Sequence, residues 1–147
     1  MKTILAAVAM ACMTLSTVAH AGPPSFSQNR IATGQTLTTR FEIQPLLHCR
    51  AVDVVQVDAA RIGGVTEWWR IAHLAEVAGA TLAPHFLAEL HVSLVAASPV
   101  GAWVENTPWL SAILVDPPVI REGELIVPDR PGHGLSLLAD ADKWRIA

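Results

Sequence analysis

Four polar side chains follow short apolar runs at regular intervals along the chain. They are an amide, a carboxylate, an imidazole and a second carboxylate, at Gln35, Asp58, His85 and Glu105. Successive members are 23, 27 and 20 residues apart, and each interval has room for one strand, one helix and the return. Strands that alternate with helices pair in parallel, so their carboxyl ends lie on one face. The spacing therefore predicts four polar groups on one face, as in the active sites of α/β proteins.

The elements that must position these side chains follow from the hydrophobic periodicity of the sequence. The predicted strands cover residues 31–33, 54–57, 81–84 and 102–104, and the predicted helices cover residues 39–51, 66–78 and 88–97. Pro45 predicts the start of a second helical piece within the first helix, and Gly79 predicts the end of the second. The stretch "VIREGELIV" predicts a hairpin that turns at Glu122 and Gly123, and residues 139–146 predict a last short helix. In the alternative interpretation, the four polar residues are unrelated and only cap helices.

The composition limits the class of protein. The 147 residues are enough for one domain with a hydrophobic core and too few for two ordinary domains. Hydrophobic residues make up 52% of the chain and charged residues 16%, which indicates a folded protein. The net charge of −3, with scattered Lys and Arg, predicts neither a nucleic-acid-binding surface nor a polybasic membrane patch.

The first 21 residues have the three regions of an export signal. Lys2 is a short positive region, residues 4–18 are apolar, and Ala19-His20-Ala21 offers small residues at the two positions that a signal peptidase reads. Residues 22–29 then predict a linker. Cleavage would place the protein outside the cytoplasm, in the periplasm of a bacterium, and would leave Cys49 as a lone thiol. In the alternative interpretation, the segment is a buried element or a misplaced gene start, and the protein is cytoplasmic.

Three longer stretches point to a known family. "VDAARIGGVTEWWRIAHLAEVAGATLAPHFLAELH", "WVENTPW" and "VPDRPGHGL", in this order and at this spacing, resemble the C-terminal half of mandelate racemase/muconate lactonizing enzyme-type members of the enolase superfamily. Acid-sugar dehydratases are the nearest members. The resemblance begins at about Ile31 and implies that residues 30–147 form part of a (β/α)8 TIM barrel. It implies β/α units five to eight, followed by the hairpin and the short helix.

The resemblance also implies a chemistry, the abstraction of a proton α to a carboxylate with Mg²⁺ stabilising the enediolate. Asp58 and His85 match an Asp–His dyad in hydrogen-bond reach, in which the carboxylate orients the imidazole. Glu105 matches an acidic residue that contacts the substrate carboxylate or the enediolate. Gln35 stands where the family has its third metal-binding glutamate, so it would be a degraded ligand without charge. The implied substrate is a small carboxylate such as a sugar acid.

Several parts of the family's site have no counterpart in this sequence. The other two metal carboxylates and the catalytic lysine belong to earlier strands, and the only lysines here are Lys2 and Lys143. The sequence therefore predicts a fragment of a Mg²⁺-dependent acid-sugar dehydratase that is inactive by itself and binds Mg²⁺ weakly. The alternatives are a racemase or epimerase, and a non-catalytic exported half-barrel that acts as a packing or binding module.

An incomplete barrel also predicts self-association. Its sheet would have two open edges, and its inner face would lack the other strands. The apolar strand residues, some of which would point into the missing core, are Ile31, Val55, Val57, Leu82 and Val104. Pairing of two copies through the open edges would form a homodimer.

Two weaker patterns in the sequence predict neither a zinc site nor a nucleotide site. His85, Glu89 and His91 suggest zinc, but their spacing does not match H-E-x-x-H, so zinc is not predicted. Gly63 and Gly64 precede a predicted helix and could cradle an anion there. They match neither a dinucleotide-binding pattern nor a P-loop, so a turn followed by a helix N-terminus that faces the substrate is the simpler interpretation.

Overall fold

The structure is a computed structural model that describes residues 30–145. The predicted signal peptide and linker lie outside the described residues. The elements in chain order are β1 (Ala32–Thr33), α1 (Arg40–His48), β2 (Val54–Val55), α2 (Val65–Ala78), β3 (Thr81–Leu82), α3 (Ala88–Ala97), a 3-10 helix (Pro108–Ile113), β4 (Ile120–Arg121), β5 (Glu124–Leu125) and a second 3-10 helix (Ala141–Trp144). The fold is therefore mixed α/β, with strands and helices alternating through its first half.

The first three strands form a parallel sheet in the order β1-β2-β3. The strands are shorter than predicted, although single hydrogen bonds extend the pairing beyond them. The backbone N–H of Gln56 donates to the Thr33 carbonyl at 2.8 Å, and that of Ala83 donates to the Val55 carbonyl at 3.1 Å. The third strand cannot extend through Pro84, because proline has no N–H to donate.

The fourth strand position is occupied earlier in the chain than predicted. Gly101 forms a parallel bridge with Leu82, the Leu82 N–H donates to the Val100 carbonyl at 2.8 Å, and the Ala102 N–H donates to the Leu82 carbonyl at 2.9 Å. The predicted strand over residues 102–104 was therefore wrong by about two residues. Packing sets this register, because a Cβ at Gly101 would overlap the Val95 carbonyl at the end of α3.

Helix α1 is one continuous helix, so the predicted break at Pro45 was wrong. Its start is stabilised by the Glu42 carboxylate, which accepts a hydrogen bond from the Thr39 N–H at 3.0 Å. The helix ends at His48 rather than at residue 51. Arg50 has a left-handed φ of 53°, and the N–H groups of residues 50 and 51 donate to carbonyls of the last turn.

The other two helices match their predictions closely. Helix α2 ends at Ala78 because Gly79 is left-handed, with a φ of 72°, and α3 has the predicted bounds. The predicted last helix is only one 3-10 turn, in which the Lys143 N–H donates to the Asp140 carbonyl at 3.1 Å. No helix within residues 30–145 is long and apolar enough to cross a membrane.

The hydrophobic core lies between the parallel sheet and the helices. Its buried members include Ile43, Leu47, Val55, Val57, Trp68, Ile71, Leu82 and Leu94. Burial of each large side chain contributes about 1.5–3 kcal/mol. Of the five apolar strand residues, some of which were predicted to point into a missing core, Val55, Val57 and Leu82 are buried, Val104 is half-buried and Ile31 is exposed. The chain therefore covers much of this apolar surface by itself.

The predicted hairpin is confirmed. Strands β4 and β5 pair antiparallel, with Ile120 opposite Leu125 and Arg121 opposite Glu124. The two turn residues, Glu122 and Gly123, have φ values of 52° and 86°. Positive φ at both positions is the geometry of a two-residue type I′ turn, which matches the twist of the flanking strands.

Candidate active site

His85 and Glu105 form the closest pair of ionisable side chains at the carboxyl ends of the strands. His85 follows β3, Glu105 follows the Gly101 bridge, and His85 Nδ1 lies 2.6 Å from Glu105 Oε2. The same carboxylate oxygen accepts a hydrogen bond from the Phe86 N–H at 2.9 Å. This N–H bond is the main reason that the pKa of Glu105 is lowered. Burial is the second-largest influence and acts in the opposite direction, and the contact with His85 lowers the pKa further. An ionised Glu105 can accept a hydrogen bond from the Nδ1–H group of His85, and Nε2 then carries the lone pair that can accept a proton.

The loop between His85 and α3 has an unusual backbone conformation. Phe86 and Leu87 are left-handed, with φ values of 58° and 40°. Non-glycine residues in this region each store about 1–3 kcal/mol of strain, and such residues cluster at functional sites. Phe86 also packs edge-on against Trp109, with ring centroids 5.1 Å apart.

Asp58 lies at the carboxyl end of β2, as predicted, but its carboxylate is used locally. Asp58 is buried, and its Oδ1 accepts a hydrogen bond from the Ala60 N–H at 2.9 Å. None of the hydrogen bonds within residues 30–145 joins Asp58 to His85, so the expected dyad contact is not formed. The reason is that Nδ1 of His85, the atom that would contact an orienting carboxylate, is bonded to Glu105.

His91 connects the loops that follow β2 and β3. It lies on α3 with no exposed surface. Its Nε2 accepts a hydrogen bond from the Ala59 N–H at 3.0 Å, and its Nδ1 donates to the Phe86 carbonyl at 2.7 Å. The sequence predicts no role for His91. The only available signal was its place in an apolar helix, "AELHVSLVAA", where a histidine needs partners within the protein.

The zinc interpretation is not supported by the geometry. His85 and His91 use their Nδ1 atoms for Glu105 and for a backbone carbonyl. Glu89 is buried, and its two carboxylate oxygens have no hydrogen-bond partner within the described residues. The three side chains are not grouped around a shared metal position.

Gln35 follows β1 at the same end of the sheet, and its side chain is exposed. The preceding Gly34 is needed for close packing, because a Cβ there would lie 3.3 Å from the backbone nitrogen of Gln56. Within residues 30–145, no group of three or more His, Cys, Asp or Glu side chains could hold a metal ion. Gln35 offers one neutral carbonyl oxygen, whereas Mg²⁺ sites in proteins use carboxylates. The described residues therefore do not fit Mg²⁺.

The comparison with known proteins identifies the family. Residues 11–141 match the family described as Enolase C-terminal domain-like. This chain belongs to that family. The match covers most of the chain and confirms the resemblance seen in the three sequence stretches.

The relatives of the chain include acid-sugar dehydratases. L-talarate/galactarate dehydratase from Salmonella typhimurium is 38% identical over 125 residues, which cover 85% of this chain and 31% of the relative. Arabinonate dehydratase from Saccharolobus solfataricus is 36% identical over 117 residues, which cover 73% of this chain and 31% of the relative. The chain therefore spans about a third of the length of the curated relatives that it matches.

A solved structure of a family member confirms the fold of the described part. L-talarate dehydratase from Polaromonas sp. JS666, in complex with Mg and L-glucarate, superposes with a TM-score of 0.76 and is 46% identical. The superposition covers 80% of this chain and 33% of that enzyme. The metal and the sugar acid belong to that enzyme.

Proposed function

We propose that this chain is the imidazole-bearing part of an acid-sugar dehydratase of the enolase superfamily, which removes a proton α to a carboxylate. The observation that supports this most directly is the His85–Glu105 pair at 2.6 Å, located where parallel strands end. The family match and the sugar-acid dehydratases among the relatives support the substrate class.

In this proposal, His85 exchanges the proton through Nε2. Glu105 fixes the orientation of the imidazole, because an ionised carboxylate 2.6 Å from Nδ1 keeps the proton on that nitrogen. The family resemblance assigns the orienting role to Asp58 and a substrate contact to Glu105. The structure instead gives the contact with His85 to Glu105, and Asp58 stabilises its own loop. We therefore assign Asp58 to the site as a support of the loop that follows β2.

We further propose that the isolated chain is inactive. The α-proton of a carboxylate is only weakly acidic, and its removal requires stabilisation of the enediolate charge. Residues 30–145 cannot hold a metal ion that would provide this stabilisation, because Gln35 is an uncharged ligand. A chain that spans about a third of its relatives' length fits the role of a complementing part.

A fragment-complementation experiment tests this proposal. The chain is co-expressed with the N-terminal two-thirds of the Polaromonas L-talarate dehydratase, and the co-purified assembly is supplied with L-glucarate in D2O. We expect deuterium uptake by the sugar acid with the assembly and none with the chain alone. The His85→Asn substitution should abolish uptake, whereas His73→Asn, at an exposed site on α2, should not. An assembly that forms but shows no His85-dependent uptake would refute the proposal.

We also propose that the chain forms a homodimer through the open edges of its sheet. In support of this, among residues 30–145 β1 pairs only with β2 and the segment at Gly101 pairs only with β3, and Ile31, Trp103 and Trp109 are exposed. Unpaired strand edges next to apolar side chains favour association with another copy. Light scattering at micromolar concentration should give twice the mass of the chain, and a stable monomer would contradict this.

Export is a separate proposal that depends on residues 1–21 alone. Their positive, apolar and small-residue regions occur in the order that a signal peptidase requires. Expression of the whole chain in a bacterium, followed by N-terminal sequencing of the periplasmic fraction, should give a mature protein that begins at Gly22. Uncleaved protein in the cytoplasm would show that the segment is not a signal.

A further inference from the structure

We propose that His91 is a positioning residue that ties the loop after Asp58 to the loop after His85 and thereby holds Glu105 against the imidazole of His85. The effect of His91 on catalysis rests on the proposed function. The hydrogen bonds of His91 do not depend on that function. Two hydrogen bonds of one buried side chain reach two loops that are far apart in sequence.

The two contacts are short, and the contact with Ala59 is buried. His91 Nε2 accepts from the Ala59 N–H at 3.0 Å, 32 residues away in sequence, and Nδ1 donates to the Phe86 carbonyl at 2.7 Å. The ring is fully buried, so each backbone group would lose its partner if the ring were removed. A buried backbone group without a partner is strongly disfavoured.

The two partners allow only one protonation state of the ring. Nε2 faces a donor and must carry a lone pair, whereas Nδ1 faces an acceptor and must carry the proton. A doubly protonated ring would direct an N–H at the Ala59 N–H. Burial lowers the pKa of His91 and is the largest influence on it. The bond to Phe86 and the charges of Asp58 and Glu89 act in the opposite direction, and His85 adds to the lowering.

Phe86 transmits the constraint to the catalytic pair. Its carbonyl is held by His91, and its N–H donates to the Glu105 oxygen that contacts His85. The left-handed φ of 58° at Phe86 is intrinsically unfavourable, so the residue needs bonds on both sides to keep this conformation. Loss of the bond from His91 would let Phe86 relax and would withdraw its N–H from Glu105.

Two substitutions each remove one hydrogen bond of His91 and keep the other. His91→Gln can place a carbonyl near the position of Nε2, where it accepts from Ala59, but it has no donor at the position of Nδ1. His91→Asn places an amide N–H near the position of Nδ1, where it donates to Phe86, but it does not reach Ala59. His73→Asn on the surface of α2 is the control.

The measured quantities are the titration of the Glu105 side-chain carboxyl carbon and the backbone amide shifts of Ala59 and Phe86, by NMR on the whole chain. For His91→Gln we expect the pKa of Glu105 to rise towards its ordinary value and the Phe86 amide to shift. For His91→Asn we expect the pKa of Glu105 to stay lowered and the Ala59 amide to shift. The control should leave all three unchanged. A folded His91→Gln variant that leaves the Glu105 titration unchanged would overturn the inference.

A measurement on the unsubstituted chain decides the case if the variants do not fold. Long-range proton–nitrogen spectra should show His91 neutral, with its proton on Nδ1, from pH 7 to pH 8. A proton on Nε2, or a ring that becomes charged in this range, would overturn the inference. These readouts need neither a substrate nor a complementing fragment. An assembly without proton exchange would therefore refute the proposed function, and unaltered Glu105 behaviour would refute the role of His91.

Discussion

The Gly101→Ala substitution tests how the pair of His85 and Glu105 is held together. Gly101 carries the segment that leads to Glu105, and it packs against the last turn of α3. An added Cβ would overlap the Val95 carbonyl, which is part of the helix backbone and cannot rotate away. The segment must therefore move outward, away from α3.

The cost follows from the overlap and from the bonds that the movement breaks. Forcing an extra carbon into a packed site costs about 1–3 kcal/mol. Displacement also weakens the hydrogen bonds of Leu82 with Val100 and Ala102, each worth about 0.5–1.5 kcal/mol. We expect the free energy of unfolding to fall by about 2–4 kcal/mol, a large part of the ~5–15 kcal/mol typical of a domain.

Gly79→Ala is a matched control with a different physical cost. A Cβ at Gly79 meets no atom within 4 Å, but the φ of 72° is unfavourable for alanine and should cost about 1–2 kcal/mol. Urea unfolding followed by tryptophan fluorescence measures both variants, because Trp68 is fully buried.

The two variants should differ most at the candidate active site. Movement of the Gly101 segment should separate Glu105 from His85 and from the Phe86 N–H, so the pKa of Glu105 should rise towards its ordinary value. Gly79→Ala should leave the Glu105 titration unchanged. Neutral surface substitutions change the free energy of unfolding by up to about 0.5 kcal/mol. If Gly101→Ala changes it by no more than this and Glu105 titrates as before, the packing argument is wrong.

Two further predictions concern metal and pH. Calorimetry should detect no tight, stoichiometric Mg²⁺ binding by the isolated chain, and Gln35→Glu should not restore it, because one carboxylate cannot replace three; a tight one-to-one isotherm would contradict this. Hydrogen bonds from Arg70 and Arg40 hold the pKa of Glu67 below its ordinary value of 4.5. The unfolded chain therefore takes up this proton first, and the free energy of unfolding should decrease as pH falls below 4.5 towards the folded pKa. Urea midpoints at pH 7, 4.5 and 3 should show a smaller decrease for Glu67→Gln, and equal decreases would remove Glu67 as a cause.

The sequence by itself determined those parts of the fold that depend on neighbours along the chain. Gly79 predicted the end of α2 because only glycine adopts a left-handed φ at little cost. The Glu122–Gly123 turn was predictable for a similar local reason. The apolar runs located three of the four strand positions, and the polar residue after each run was correctly placed at a strand end. The family was also readable, since its three stretches occur in order and at the right spacing.

Only the tertiary structure decided which of these polar residues interact. Asp58 and Glu105 are both carboxylates at strand ends, and the contact of Glu105 with His85 depends on the left-handed turn at Phe86 and on the register of Gly101. That register results from contact with Val95 on a preceding helix, which no local pattern encodes. His91 was missed because its two partners are backbone groups of distant loops. Every non-proline residue has the same backbone N–H and carbonyl groups, so residue types do not reveal which of them a side chain will contact. The role of such a side chain becomes visible only in the folded chain.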